Sequence, residues 1–359
     1  MNTPVKPFDD ETLYAALLRR DPSFEGVFFV AVTSTGIFCR PTCPAGPPSR
    51  RNCRFFRTAQ EAQQAGFRAC LRCRPLEPPN AESAAIRRLL DAVEGDPARR
   101  WQEADLASFG LHAATVRRHF QRRFGMTFLE YGRARRLGTV VNGIRGGCRV
   151  IDAQLDAGYE SASGFRDAFA RTFGASPGRR RASAIGVHWF DSPLGPIVVA
   201  GDERAVHCVE YADREGLDRQ MARLARRLRA RPVPGRGAPA ARIEAELAEY
   251  FAGRRATFTA PLDPGGTPFQ NAVWDALRRI PLGETRSYAD IASAVGRPAA
   301  VRAAAQANGA NPFAIVIPCH RVINTGGAPG GYGGGLPRKL WLLEHERRMR
   351  ADMAAPSAA

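Results

Sequence analysis

Pro318-Cys319-His320-Arg321 follows an apolar run, Ala314-Ile315-Val316-Ile317, and precedes Val322-Ile323. A cysteine beside a histidine, where an apolar segment stops, is a candidate nucleophile with its base at hand. Sequence neighbours usually point in different directions, so the pair alone says little. Its surroundings say more. Asn311 lies eight residues upstream of the cysteine. A glycine-rich stretch, Gly326 to Gly335 with Tyr332 inside it, follows. A helix-like segment then ends in Leu342-Leu343-Glu344-His345-Glu346. Cysteine, histidine, amide and carboxylate in one short region can activate a thiolate. A cysteine buried for packing is the plainer reading of Cys319. A cysteine hydrolase is the enzymatic rival, and repeated turnover would mark it.

A second set of residues lies near the start. Cys39 and Cys43 have three residues between them, Cys70 and Cys73 have two, and 26 residues separate the pairs. Two close pairs joined by a folded loop suit one tetrahedral zinc with four thiolate ligands. Spacing alone favours a structural metal, which so small a domain needs in order to fold. The other cysteines are Cys53, Cys148, Cys208 and Cys319. No secretory signal and no apolar run of membrane-spanning length is visible. The expectation is therefore a reducing cytosol, where cysteines serve as ligands or reactive thiols, and no membrane partner. Arg50, Arg51, Arg54 and Arg57 can hold phosphates beside the cluster, although an arginine run is usually a solvated face.

The elements that must position these groups sit in a chain of 359 residues with net charge +17. That length allows two to four domains. The excess charge is spread: +4 over residues 1–79 (11 − 7), +7 over 80–185 (18 − 11) and +6 over 186–359 (23 − 17). Every segment can face a polyanion. Breaks fall at Pro75 to Asn80, at Gly174 to Ile185, and at Ala230 to Pro239, which holds three prolines and two glycines. Residues 1–75 read as a helix over Asp10 to Arg19, a strand over Val27 to Thr33 and a helix over Thr58 to Gly66. Residues 80–182 read as nearly all helix. Residues 187–212 read as antiparallel strands turning at Ser192 to Gly195. Arg214 to Leu228 and Arg242 to Phe251 read as helices, and the chain from Thr267 is mostly helical.

Within the helical stretch, Ala104 to Leu111 followed by Thr115 to Phe120 reads as helix, glycine turn, helix. Val150 to Ala157, Gly158-Tyr159 and Ser161 to Phe173 repeat the pattern. Two such units suit two successive major grooves. Candidate DNA-facing residues are Thr115, Arg117, Arg118 and Arg122 in the first, and Ser161, Ser163 and Arg166 in the second. A plain helical bundle with glycine turns is the alternative. His119 and Cys148 read as packing or surface residues.

These motifs carry family resemblances. The stretch Thr267 to Glu346, with its PCHRV core, resembles the O6-alkylguanine-DNA alkyltransferases. The resemblance implies that Cys319 accepts an alkyl group and that His320 is a base acting through water. Glu346 then orients His320, and Asn311 braces the turn. Tyr288 presses on the target phosphate, Arg302 fills the gap left by a flipped base, and Tyr332 lies over the base pocket. Gly333 departs from the pattern, because some members carry a serine there that contacts the base oxygen.

The segments Gly36 to Cys43 and Gly66 to Cys73 resemble the amino-terminal domain of the Ada family of DNA-repair proteins. That implies Cys39 as both zinc ligand and methyl acceptor, with Cys43, Cys70 and Cys73 completing the site. Arg118 to Thr127 and Phe165 to Pro177 resemble AraC-type regulators. His188 to Ala260 resembles the small sheet-containing domain that precedes the catalytic one.

The expected fold is multidomain α+β. A zinc-binding α/β domain spans 1–79 and an all-α tandem helix-turn-helix domain 80–185. A small sheet-containing subdomain spans 186–266, a mostly helical, winged-helix-like alkyltransferase domain 267–350, and a flexible tail 351–359. The family function implied is irreversible, single-turnover methyl transfer. Cys39 takes methyl groups from DNA methylphosphotriesters, and Cys319 from O6-alkylguanine or O4-alkylthymine. Methylation of Cys39 switches on transcription. One Zn2+, double-stranded DNA and RNA polymerase are the implied cofactor and partners, in the bacterial cytoplasm at the nucleoid. Two other readings stay open: a transcription factor with purely structural outer modules, and a repair enzyme whose central helices bind DNA without regulating genes.

Overall fold

A computed structural model of the protein describes residues 8–77, 84–173, 176–177 and 183–354. The first helix, α1 (Asp10–Arg19), coincides with the sequence reading. Asp9 caps it by accepting from the Thr12 amide, and Arg20 ends it in the left-handed region (φ 49). Four short strands follow: β1 (Phe29–Val32), β2 (Ile37–Cys39), β3 (Cys53–Phe56) and β4 (Arg68–Ala69). Their order is β3-β1-β2-β4, with β4 parallel to β2. Helix α2 (Ala59–Gln64) lies before β4 and opens with a Thr58–Glu61 capping box. The sequence reading found one strand here. Of the other three, β2 and β4, with three and two residues, are too short to show an alternating pattern.

The next unit is helical: α3 (Ala84–Gly95), a 3-10 turn (Glu103–Phe109), α4 (Ala113–Phe124), α5 (Phe128–Arg145), α6 (Val150–Asp156) and α7 (Ala162–Phe173). Gly125 ends α4 at φ 69, where a side chain would be strained, and a Thr127–Glu130 box restarts the chain as α5. Trp101, Val116, Phe120, Phe128 and Tyr131 form the core of the first half. Leu137, Val141, Phe165 and Phe169 form that of the second. Helix α5 enters both.

A second sheet follows, built from β5 (Ala184–Ser192), β6 (Gly195–Gly201), β7 (Val206–Tyr211) and β8 (Arg231–Pro234) in the order β7-β6-β5-β8. Helix α8 (Leu217–Leu228) precedes β8 and α9 (Ala238–Phe251) follows it. Sequence reading treats Ala230 to Pro239 as a separator; instead β8 pairs parallel to β5, Ile185 opposite Pro232 and Val187 opposite Pro234. Proline is tolerated because β8 is an edge strand, which leaves one side without ladder bonds.

The last unit comprises α10 (Pro268–Arg278), β9 (Arg286–Ser287), α11 (Tyr288–Ala294), α12 (Val301–Gly309), a 3-10 turn at Cys319–Arg321, β10 (Val322–Ile323) and α13 (Leu336–Ala354). Its core is continuous with one face of the second sheet, through Val209, Tyr211, Ile243, Tyr250, Trp274, Leu277, Phe313 and Leu342. Helix α13 runs through the start of the expected tail, and residues 355–359 lie outside the described residues, as do parts of the junctions at 75–80 and 174–185. Among the described residues, no helix is long and apolar enough to cross a membrane.

Candidate functional site

Cys319 begins a 3-10 turn and is 8% exposed. The turn is held from upstream. Asn311 donates from Nδ2 to the carbonyls of Phe313 (3.1 Å) and Ile317 (2.8 Å) and accepts from the Phe313 amide (3.0 Å). Inside that clamp Ile315 sits at φ 70. A β-branched residue there is strained, and the Asn311 bonds on both sides over-determine it.

His320 is fully buried and its Nε2 lies 2.8 Å from Glu346 Oε1, brought in by α13. Glu346 also accepts from Arg321 Nε (2.7 Å) and Nη2 (2.9 Å) and from the Tyr250 hydroxyl (3.0 Å). Burial pushes the Glu346 carboxyl up, but the charge and hydrogen bonds of His320 and Arg321 outweigh it and hold it well below the usual range. Burial pushes His320 down, against the pull of Glu346. Its Nδ1 has no hydrogen-bond partner among the described residues. Burial pushes the Cys319 thiol up to about 11, with an Asn311 hydrogen bond pulling the other way. The resting group is a thiol, which needs a base.

Cys319 opens into a cavity of about 340 Å³ whose lining includes Tyr288, Asn308, Asn311, Tyr332 and Gly333. Tyr288 is the first residue of α11, after the Ser287 cap. Arg302 is exposed in the first turn of α12 and does not line the cavity. Tyr332 is half-buried, its ring 6.4 Å from those of His320 and Tyr211. Arg338 steadies the glycine-rich loop from α13, donating to the Gly334 carbonyl (3.2 Å) and to both Asp213 oxygens (2.8 Å each). Lys339 donates to the Val322 carbonyl at 2.5 Å, and burial lowers its amine to about 8. Sequence reading assigned no role to Tyr250, Arg321, Arg338 or Lys339. Arg321 was legible inside the motif itself. The others are placed by tertiary packing.

The four amino-terminal cysteines come together. Cys39 ends β2, Cys43 follows in a turn, and Cys70 and Cys73 follow β4, which pairs beside β2. Their sulfurs all lie within 4.8 Å of one another. Four thiol donors converging from two strand ends fit one zinc. Arg40 locks the two turns. It is buried, its amide donates to Cys73 Sγ (3.4 Å), its Nε to the Cys73 carbonyl (3.0 Å) and its Nη2 to the Arg74 carbonyl (3.0 Å). Buried Glu25 balances its charge at 3.2 Å. Arg40 lies between the first two ligands, which was the available signal for it. Cys53 is outside the cluster and packs in the core, its thiol toward the Ser49 carbonyl at 3.4 Å. Arg50 is engaged by Asp10 (3.1 Å) and Glu11 (3.3 Å), and Arg54 stacks on Phe56 and Phe67.

On α4, Val116 and Phe120 face the core, while Thr115, Arg117, Arg118 and Arg122 are exposed. At 100° per residue Thr115, Arg118 and Arg122 share the outward face and Arg117 sits to one side. On α7, Ser163 and Arg166 are exposed, Ser163 opposite the buried Phe165 and Phe169 and Arg166 at the flank of that buried face. Ser161 is engaged differently: its hydroxyl accepts from the Gly164 amide (3.1 Å) and caps the helix. His119 packs its ring edgewise on Phe120 and Phe124.

Comparison with known proteins matches four family descriptions along the chain. They are the metal binding domain of Ada (residues 12–76), a helix-turn-helix domain (106–183), the ribonuclease-like domain of 6-O-methylguanine DNA methyltransferase (187–264) and the DNA binding domain of the same (268–348). In chain order these describe a metal-binding module, a helix-turn-helix module and a two-part methyltransferase in one polypeptide. The chain is 36% identical over 352 residues to the "Bifunctional transcriptional activator/DNA repair enzyme Ada" of Escherichia coli K12, covering 94% of this chain and 96% of that protein. It is 45% identical over 158 residues to the "Methylated-DNA--protein-cysteine methyltransferase" of Mycobacterium leprae, covering 44% of this chain and 90% of that protein. Among solved structures, the Mycobacterium tuberculosis OGT–DNA complex aligns at 40% identity over 46% of this chain and 94% of that one, with TM-score 0.40. The methylated N-Ada/DNA complex aligns at 32% identity over 36% of this chain and 99% of that one, with TM-score 0.30. The chain belongs to the Ada family, and the cofactor of its four-cysteine site is one zinc ion.

Proposed function

We propose that this protein, a methylated-DNA–protein-cysteine methyltransferase and transcriptional activator of the adaptive response, works through two single-use acceptors, Cys39 and Cys319. The observation that carries the reading is the buried Cys319–His320–Glu346 arrangement beside a cavity of about 340 Å³. In that reading Cys319 gives its proton to His320 through a water at Nδ1, and Glu346 stabilises the imidazolium that forms. Sulfur displaces the alkyl carbon from O6, the electron pair stays on the base, and the proton returns to the departing guanine. The product is a thioether, which the site has no group to cleave. Asn311 holds the turn, Tyr288 and Arg302 manage the extruded nucleotide, and Tyr332 covers the base. O4-alkylthymine presents the same reacting group.

Cys39 is the proposed acceptor for methylphosphotriesters, with Cys43, Cys70 and Cys73 as fellow ligands. A bound zinc dication keeps the four sulfurs ionised at neutral pH while leaving them electron-rich. Thr115, Arg117, Arg118, Arg122, Ser163 and Arg166 are the proposed reading surface, with Ser161 acting through its cap. An activator must touch the transcription machinery, so RNA polymerase is a proposed partner, and chromosomal substrate places the protein at the bacterial nucleoid. The functional units are proposed as 1–79, 80–185, 186–266 and 267–350, with a tail over 351–359. Single-turnover assays on duplexes carrying one lesion test the assignment: Cys319→Ser should abolish transfer from O6-methylguanine and leave phosphotriester repair intact. Loss of both would contradict independent acceptors.

A further inference from the structure

The wall of the Cys319 cavity is completed by two residues of the second sheet unit that the mechanism above does not use, Glu210 and Arg214. Glu210 lies on β7 and is 2% exposed. A carboxylate so buried needs a partner. It accepts from the Tyr211 amide (3.0 Å) and is ion-paired with Arg214 Nη1. Arg214 also donates from Nη2 to the Gly309 carbonyl (3.2 Å) and from Nη1 to the Gln220 side-chain oxygen Oε1 (3.4 Å). A guanidinium has five N–H donors, and these three bonds leave Nε–H and one Nη2 hydrogen without a partner among the described residues. The glycine-rich loop lies flat against this group. A Cβ at Gly333 would come within 2.9 Å of Arg214 Cζ and 3.1 Å of Nε. The absence of a side chain at 333 is what lets the guanidinium occupy that wall.

We infer that Arg214, fixed by Glu210 and admitted by Gly333, donates a charge-assisted hydrogen bond to O6 of the guanine in this cavity and sets the preference for that base. The inference rests on Cys319 being the alkyl acceptor. As the S–C bond forms and the C–O6 bond breaks, the electron pair collects on O6, until N1 takes up the proton that the thiol released. A fixed guanidinium beside O6 stabilises that charge as it develops. Its paired donors also match the O6 and N7 acceptors of guanine, whereas adenine presents an amino donor at the same edge. Gly333 and Arg214 thus exchange places with the arrangement in which a serine at 333 supplies the donor.

The test is the single-turnover rate of Cys319 alkylation in the full-length, zinc-loaded protein. Arg214→Ala should slow transfer from O6-methylguanine duplex about 10- to 100-fold, and Arg214→Lys less. Glu210→Gln combined with Arg214→Ala removes the stranded buried charge and should show the same loss if the alanine variant folds poorly. Gly333→Ser should be slow because it displaces the guanidinium, and adding Arg214→Ala to it should recover rate through the new hydroxyl. A contact at the departing oxygen matters less when the base leaves easily. The Arg214→Ala deficit should therefore shrink with 8-aza-O6-benzylguanine relative to O6-benzylguanine. Equal deficits for both would make Arg214 a strut between units and overturn the inference. Faster transfer by Arg214→Ala would make it a plug and overturn it as well. No alkylation of wild-type Cys319 would remove the acceptor reading itself, and this inference with it. Methyl transfer to Cys39 should be unchanged in every variant.

Discussion

Three buried side chains converge on the carboxylate of Glu346: His320, Arg321 and Tyr250. Removing that carboxylate strands an arginine in the core. Glu346→Ala should therefore cost about 3–5 kcal/mol by denaturant titration, whereas Glu346→Gln should lose alkyl transfer with a smaller loss of stability. Both Glu346 and His320 have depressed folded-state pKa values, so the folded protein binds fewer protons than the unfolded chain. Their contributions are complete above the unfolded values and fall away in acid, first below about 6.5 for His320 and then below about 4.5 for Glu346. A Tm series across pH 3–8 should show the lower step in the wild type and a smaller one in Glu346→Gln, since Asp202, Glu244 and Glu246 also have depressed carboxyl pKa values. At this scale Cys319, His320, Asn311 and Glu346 were legible because they occupy one motif-bearing segment. Tyr250, Glu210 and Arg214 were not. They come from another unit of the chain, and only the shared core brings Tyr250 to Glu346 and brings Glu210 and Arg214 to the cavity.

Elements decide how DNA is presented. Arg302 stands in the first turn of α12, exposed and without a role in the core. Arg302→Ala should slow transfer most from duplex DNA and least from single strands, because only the duplex leaves a gap to fill when a base is extruded. Rates on matched single- and double-stranded substrates check this. On α4 the outward arginines Arg118 and Arg122 have no ion pair among the described residues, so replacing both with alanine should reduce the slope of log affinity against log salt by about 2. Helix α7 exposes two arginines, Arg166 and Arg171, together with Asp167, so its net charge is lower and it is the weaker electrostatic anchor. Helices with apolar spacing and glycine or capping-box punctuation were readable, as α1 and α2 show. The strand β8 was not, because its prolines argue against a ladder unless the strand is known to lie at an edge. The strained turn at Ile315 was hidden too, since nothing in an apolar run announces a left-handed residue.

Across the whole molecule the two proposed acceptors, Cys39 and Cys319, lie in separate modules with the helix-turn-helix unit between them in the chain. Chelation should remove one zinc per chain and unfold chiefly the module of residues 12–76, leaving O6-methylguanine transfer to Cys319 intact. Metal analysis and limited proteolysis check that outcome. Methylating Cys39 turns a thiolate into a neutral thioether and reduces the formal negative charge of the zinc site with its four sulfurs from −2 (+2 − 4) to −1 (+2 − 3). At an effective dielectric near 20, one unit charge about 5 Å from a phosphate is worth roughly 3 kcal/mol before screening. A tenfold gain in promoter affinity needs only about 1.4 kcal/mol. Affinity should therefore rise on methylation, most at low salt. Equal affinities there would remove the electrostatic switch while leaving Cys39 an acceptor. The most direct measurement is mass spectrometry of the intact protein and its peptides after incubation with excess methylated duplex DNA. The account predicts one methyl group on Cys39, one on Cys319, and methyl transfer that stops at two per chain. Unmodified cysteines, or methyl groups removed from DNA in excess of two per chain, would contradict it.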